Sequence, residues 1–129
     1  MKERDIDIIK HIIGYCNDIA ESISRFGNTI DDLTADKDYR YSVSMSTFQI
    51  TELITNLSDE FTTEHNSEPW REMRGMRKFF AHKYGKLDDE ILYNTITMKV
   101  PELLAFCNDV LGVFNANASQ PFSELRRLR

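Results

Sequence analysis

Residues 4–26 read RDIDIIKHIIGYCNDIAESISRF. Within them Ile9, Ile12, Ile13, Cys16, Ile19, Ala20, Ile23 and Phe26 recur at spacings of three and four, the period of one face of a helix. A half-buried strand would alternate by two, which this stretch does not do. It is predicted as an amphipathic helix that must bury a single apolar stripe against other elements. Gly27, directly after the last periodic residue, is its stop signal.

The same period continues outward. Thr29 opens a short piece, TIDDLTA, with Asp32 three residues on in a capping-box arrangement. A long helix is predicted from about Lys37 to Phe61, with Tyr39, Val43, Ile50, Leu53, Leu57 and Phe61 on its inner side. TTEHNSE (62–68) reads as a polar loop. Pro69 then starts a basic helix where a missing N–H costs nothing, and Gly85 is placed to cap its end. Asp88 opens the last stretch, whose expected core positions are Ile91, Ile96, Val100, Leu103, Leu104, Cys107, Leu111 and Phe114. Pro101 should kink or split that helix and restart it with Pro101 in the first turn.

No segment shows strand alternation and no repeat is present. The expected fold class is all-α, an antiparallel four-helix up-and-down bundle with a short extra helix and a kinked last helix. The bundle should occupy residues 1–114. Residues 115–129, NANASQPFSELRRLR, read as a flexible tail with one basic turn at its end.

A chain of 129 residues is one domain by length and can bury a core without staples. Its 41% hydrophobic and 29% charged residues are those of an ordinary globular protein. The apolar runs are too short to span a bilayer. The start, MKERDIDIIKHI, lacks the pattern of a signal peptide, so the expectation is a cytoplasmic protein. Cys16 and Cys107 lie on apolar stripes and read as small buried hydrophobes with no disulfide. Neither has zinc-ligand spacing, and there is no glycine-rich phosphate loop, G-x-S-x-G elbow or H-E-x-x-H pair. The sequence therefore calls for no metal and no cofactor.

The net charge of −5 conceals an asymmetry. Residues 1–68 carry 14 acidic and 6 basic side chains. Residues 69–86 carry Arg71, Arg74, Arg77, Lys78, Lys83 and Lys86 against Glu72 alone. Such a cationic patch on an anionic body is the footprint of a phosphate site or an acidic partner. It is equally consistent with a helix that pairs with acidic neighbours.

The centre of the patch is residues 77–84, RKFFAHKY. At about 100° per residue, Trp70, Met73, Arg77, Phe80 and Tyr84 share one arc of the helix. Arg77 thus sits inside the apolar stripe, with its head reaching water past the aromatics, paired with a carboxylate such as Glu52, or presented to a second surface. His82 falls about 140° round the axis from Arg77, near Lys78 and Arg71. One cleft containing both would need the helix to fray before His82, or a second copy of the chain to supply the other half. His11 and His65 read as surface or partly satisfied histidines, and Tyr84 as a helix-end aromatic or a modifiable hydroxyl.

Histidine exchanges protons near neutrality, and arginine grips phosphate with a permanent two-pronged charge. The pair suits RNA cleavage without metal: His82 moving protons at the 2′-hydroxyl or the leaving 5′-oxygen, Arg77 stabilising charge on the phosphorus oxygens, and Arg71, Arg74, Lys78 and Lys83 holding flanking phosphates.

The spacing R-x4-H-x-Y, matched by Arg77, His82 and Tyr84, resembles the motif of the HepT-like toxins of the HEPN superfamily. The similarity extends through residues 68–96 (EPWREMRGMRKFFAHKYGKLDDEILYNTI), 35–53 (ADKDYRYSVSMSTFQITEL) and 100–104 (VPELL). The resemblance implies a helical-bundle ribonuclease acting as a homodimer, with both copies' Arg77 and His82 around one cleft. It also implies a toxin–antitoxin pair whose partner is an MNT-type nucleotidyltransferase, able to adenylylate the motif tyrosine, here Tyr84. Lys78 departs from the Asn or Asp common after the motif arginine. It keeps a phosphate-binding charge but not that residue's orienting role. The competing expectation is a non-catalytic module that docks a nucleotidyltransferase or binds nucleotide through the same cleft.

Overall fold

The computed structural model describes residues 2–82 and 88–117, with side chains described for all of these except 78–82 and 113–117. Seven α-helices are found among them: α1 (Glu3–Phe26), α2 (Ile30–Ala35), α3 (Lys37–Thr55), α4 (Asp59–Glu64), α5 (Trp70–His82), α6 (Asp89–Asn94) and α7 (Val100–Asn117), with a π-helical turn (Thr95–Lys99) joining the last two. The described residues contain no strand, as expected of an all-α chain. None of the described helices is long and apolar enough to cross a membrane.

The predicted stripe of α1 is the centre of the core. Ile9, Ile12, Cys16 and Ile19 are fully buried between α3 and α7. Ala20 lies on the surface, and Ile6 and Ile8 extend the buried face toward the N-terminus. Gly27 ends α1 at φ 116°, its N–H bonded to the Ile23 carbonyl. A Cβ there would collide with the Asp32 carboxylate, so glycine is required on both counts. The capping box forms as its spacing predicts: Asp32 N–H donates to Thr29 Oγ1 at 3.1 Å, and Thr29 N–H to Asp32 Oδ2 at 3.3 Å.

The chain runs up and down. Phe26 at the end of α1 stacks on Tyr39 at the start of α3, whose hydroxyl donates to the Gly27 carbonyl at 2.9 Å. At the opposite end, Asp5 of α1 meets Ser58 beyond α3. Helix α5 then returns antiparallel along α3 and α7 along α1.

The single helix expected from Lys37 to Phe61 is instead two. α3 stops at Thr55, and α4 begins after Ser58, whose Oγ accepts from Phe61 N–H at 3.1 Å. The break is fixed from a distance. Asp5, only 1% exposed, accepts from Ser58 N–H at 2.9 Å and from Ser58 Oγ at 2.7 Å. The break tilts Phe61 and Leu57 into the core, and residues 62–64, expected in a loop, are helical.

The last stretch is divided near Pro101, as anticipated, but by a widened turn. The proline ring would clash with the carbonyl four residues back in a regular helix. In the π turn Val100 N–H instead reaches the Thr95 carbonyl, five residues away. Residues four apart stay stacked in such a turn, so Leu92, Ile96 and Val100 share the buried face. Ile91, expected in the core, is 45% exposed, because Leu92, four residues before Ile96, takes the buried position. Phe114, Gly85 and the tail beyond Asn117 fall where the side chain or the whole residue lies outside the described residues.

Both cysteines are free and buried, matching their reading as small hydrophobes. Burial pushes the Cys16 thiol up to about 12, and burial together with Cys16 and Glu68 pushes Cys107 higher still. At pH 8 a thiol reagent should therefore modify neither cysteine until the protein unfolds, so the reaction rate in rising urea should follow loss of helical circular dichroism. Asp5→Ala should lower unfolding stability by about 1–3 kcal/mol in a urea titration, because it strands the part-buried Ser58 donors. Asp5→Asn, which keeps an acceptor, should lose less.

Candidate active site

Helix α5 is anchored at its beginning. Pro69 precedes its first residue, and the Pro69 carbonyl accepts from Met73 N–H at 3.0 Å. Trp70 is buried, its ring packed against Phe61 and Phe106, and its indole N–H donates to the His65 carbonyl at 2.8 Å. His65 itself lies over Phe61, with ring centroids 4.5 Å apart, and meets Phe106 edge-on. This histidine is therefore part of an aromatic cluster. His11 is exposed on α1, its Nδ1 2.7 Å from the Asp7 carbonyl. It lines a surface hollow of about 400 Å³ with Lys10, Gly14, Tyr15 and Asp18, all on α1 among the described residues.

Two turns into α5, Arg77 makes the contact its stripe position foreshadowed. Its Nε donates to Glu52 Oε1 of α3 at 2.5 Å, with the two side chains 47% and 31% exposed. The bond uses the Nε edge of the guanidinium, and among the described residues no second carboxylate pairs with its Nη groups. Arg71 is exposed. Arg74 is half-buried, with Nε enclosed and unpartnered. Lys78 and His82 lie on the α5 backbone, their side chains outside the described residues, while Lys83 and Tyr84 lie outside them altogether.

Backbone geometry still constrains the motif. α5 is helical through His82, so the helix does not fray between Arg77 and His82. At about 100° and 1.5 Å per residue the two positions stand about 140° apart around the axis and about 7.5 Å apart along it. One helix therefore does not aim both side chains into the same narrow cleft. Three neighbours of the site lie outside the motif: Glu52, which the contact confirms as the carboxylate at Arg77, and the exposed Met45 and Tyr41, two and three turns before it on the same face of α3.

An all-helical bundle that presents a basic helix with an R-x4-H-x-Y signature defines a narrow class of protein, and comparison with known proteins agrees. The family model described as ribonuclease HepT-like matches residues 7–110. A protein of Caldanaerobacter subterraneus subsp. tengcongensis named as an RNase is 29% identical over 103 residues, covering 80% of this chain and 90% of the relative. A protein of Thermococcus cleftensis named as a ribonuclease HepT is 33% identical over 94 residues, covering 69% and 86%. A Methanocaldococcus jannaschii protein, also named as an RNase, is 28% identical over 96 residues, covering 74% and 72%. No solved structure matches at a comparable level. The chain belongs to the HepT-like family of the HEPN superfamily, and its helical bundle is of the HEPN kind.

Exposed ion pairs contribute about 0–1 kcal/mol, so Arg77→Ala and Glu52→Ala should each leave unfolding stability within about 1 kcal/mol of the parent. Calorimetry of both variants checks this, and a larger loss would mean that the pair holds α5 on α3.

Proposed function

We propose that this chain is a metal-independent endoribonuclease and the toxin of a toxin–antitoxin pair, acting as a homodimer. Membership of the HepT-like ribonuclease family supports the activity class. The observation that carries the site is the unbroken α5 helix, which turns Arg77 and His82 away from each other. A cleft shared by two copies brings one chain's Arg77 to the other's His82. The exposed Tyr41 and Met45 on α3, beside the Arg77–Glu52 pair, offer a second copy apolar surface.

In this reading neutral His82 of one copy removes the proton of a ribose 2′-hydroxyl, and the 2′-oxygen attacks phosphorus. The P–O5′ bond breaks, and the departing 5′-oxygen takes a proton from the imidazolium of the other copy's His82. The products are a 2′,3′-cyclic phosphate and a free 5′-hydroxyl. The Nη groups of Arg77 bind the non-bridging oxygens, with Glu52 on Nε fixing the plane of the fork. Arg71, Arg74, Lys78 and Lys83 hold flanking phosphates, and no cofactor takes part. The proposed antitoxin is an MNT-type nucleotidyltransferase. Transfer of AMP to the Tyr84 hydroxyl, with pyrophosphate leaving from ATP, places a phosphodiester and a nucleoside beside the cations that RNA needs.

One observation favours a second reading. Arg77 already has an anionic partner within the chain, and Lys78 replaces the usual orienting residue, both of which suit a non-catalytic module that docks a nucleotidyltransferase. Cleavage of end-labelled RNA in EDTA separates the two. The parent should cut and leave cyclic phosphate ends. His82→Ala should slow cutting by about 10²–10⁴-fold, as for loss of a general acid–base, and Arg77→Ala by about 10²–10³-fold, as for loss of an oxyanion donor. Parent protein that has no adenylyl group by intact mass and cuts nothing would establish the binding module instead.

A further inference from the structure

On the flank of α5 that faces away from His82 lies a groove that the bundle does not fill. Met73 and Met76 of α5 form one wall, and Leu103 with the beginning of α7 forms the other. The hollow is about 240 Å³ and continues into a smaller apolar recess of about 40 Å³, floored by Ile50, Ile54 and Val100. α5 packs chiefly on α3.

The rim is acidic. Glu68 and Glu102 flank the opening, and Glu72 spans it to Lys99, with Lys99 Nζ 3.3 Å from Glu72 Oε1. Among the described residues neither Glu68 nor Glu102 has a counter-ion. Partial burial and the neighbouring Glu102 hold the Glu68 carboxyl above the usual carboxylate range. An apolar floor lined by methionines, with two uncompensated carboxylates at its edge, fits a short segment that alternates large apolar and cationic side chains.

This chain contains such a segment. Residues 122–129, FSELRRLR, carry Phe122, Leu125 and Leu128 at spacings of three, with Arg126, Arg127 and Arg129 between and after them. We propose that the groove between α5 and the start of α7 is the docking site of this chain's own residues 122–129, their arginines meeting Glu68 and Glu102 and their apolar residues covering Met73, Met76 and Leu103. The connection is long enough. From Asn117 back to the level of Leu103 is roughly 21 Å of helix at 1.5 Å per residue. Residues 118–124 reach roughly 23 Å when extended at 3.3 Å each. The docked segment clamps α5 from the side opposite His82 and leaves the arc of Arg71, Lys78 and His82 uncovered.

The methionines supply the probe. Ser123→Cys gives one reactive thiol, since Cys16 and Cys107 are buried. With a nitroxide attached to that introduced thiol in the full chain, the carbon-13 methyl signals of Met73 and Met76 should broaden far more than that of Met45, which is exposed on α3. Replacing Arg126, Arg127 and Arg129 with Glu should abolish that preference, and adding Glu68→Arg and Glu102→Arg should restore it. Equal broadening of the three methionines, or a preference that survives the arginine reversal, overturns the proposal. So does equally strong broadening of Met73 and Met76 when the nitroxide and the isotope are on different chains, which assigns the groove to a second copy. None of these readouts depends on ribonuclease activity.

Discussion

The burial of one face of α1 is the constraint from which the rest of the molecule follows. Ile9, Ile12, Cys16 and Ile19 are removed from water by α3 on one side and α7 on the other. Each such aliphatic side chain contributes roughly 1.5–3 kcal/mol when fully buried. The same helix sends Asp5 across its N-terminal end to fix Ser58, and thereby the place where α3 gives way to α4. That break brings Phe61 into contact with Trp70, the residue that seats α5. A chain of contacts therefore runs from the first turn of the protein to the start of the helix that carries Arg77 and His82.

Helix α5 has a different character from the core helices. It is held by Trp70 at its first residue and by Arg77 on Glu52 two turns later. Its cations outnumber its anions, and no described residue fills its groove toward α7. A helix with this excess of cations suits an element that meets polyanions. Regular helical geometry separates Arg77 from His82, which is why the chemistry proposed for them is proposed for two chains together.

Much of this was legible in the sequence, where the signals were local. The α1 stripe, the Gly27 stop, the Thr29–Asp32 box and the effect of Pro101 each depend on residues within a few positions of one another, and the structure contains all four. The break at residues 56–58 was not legible as a break, because its cause is a buried aspartate 53 positions away. The Ser58-Asp59-Glu60 cap pattern was present, but the apolar period runs straight through it. Ile91 was misplaced by one position: Leu92, four residues before Ile96, is the one that a regular period puts on the buried face. At the site, the stripe position of Arg77 foretold its carboxylate partner, and Glu52 is the residue found there. The contribution of Glu52 to orienting the guanidinium had no motif to announce it.

The shared cleft is tested most directly by mixing two inactive chains. Arg77→Ala and His82→Ala proteins, co-expressed with different tags and purified through both, give dimers in which the only Arg77 and the only His82 belong to different subunits. A cleft built from both copies predicts that these mixed dimers, which keep one Arg77 and one His82 in it, cut RNA faster than either variant alone and more slowly than the parent, which has two of each. Mixed dimers as inactive as their parents would place the working Arg77 and His82 on one chain and contradict the account.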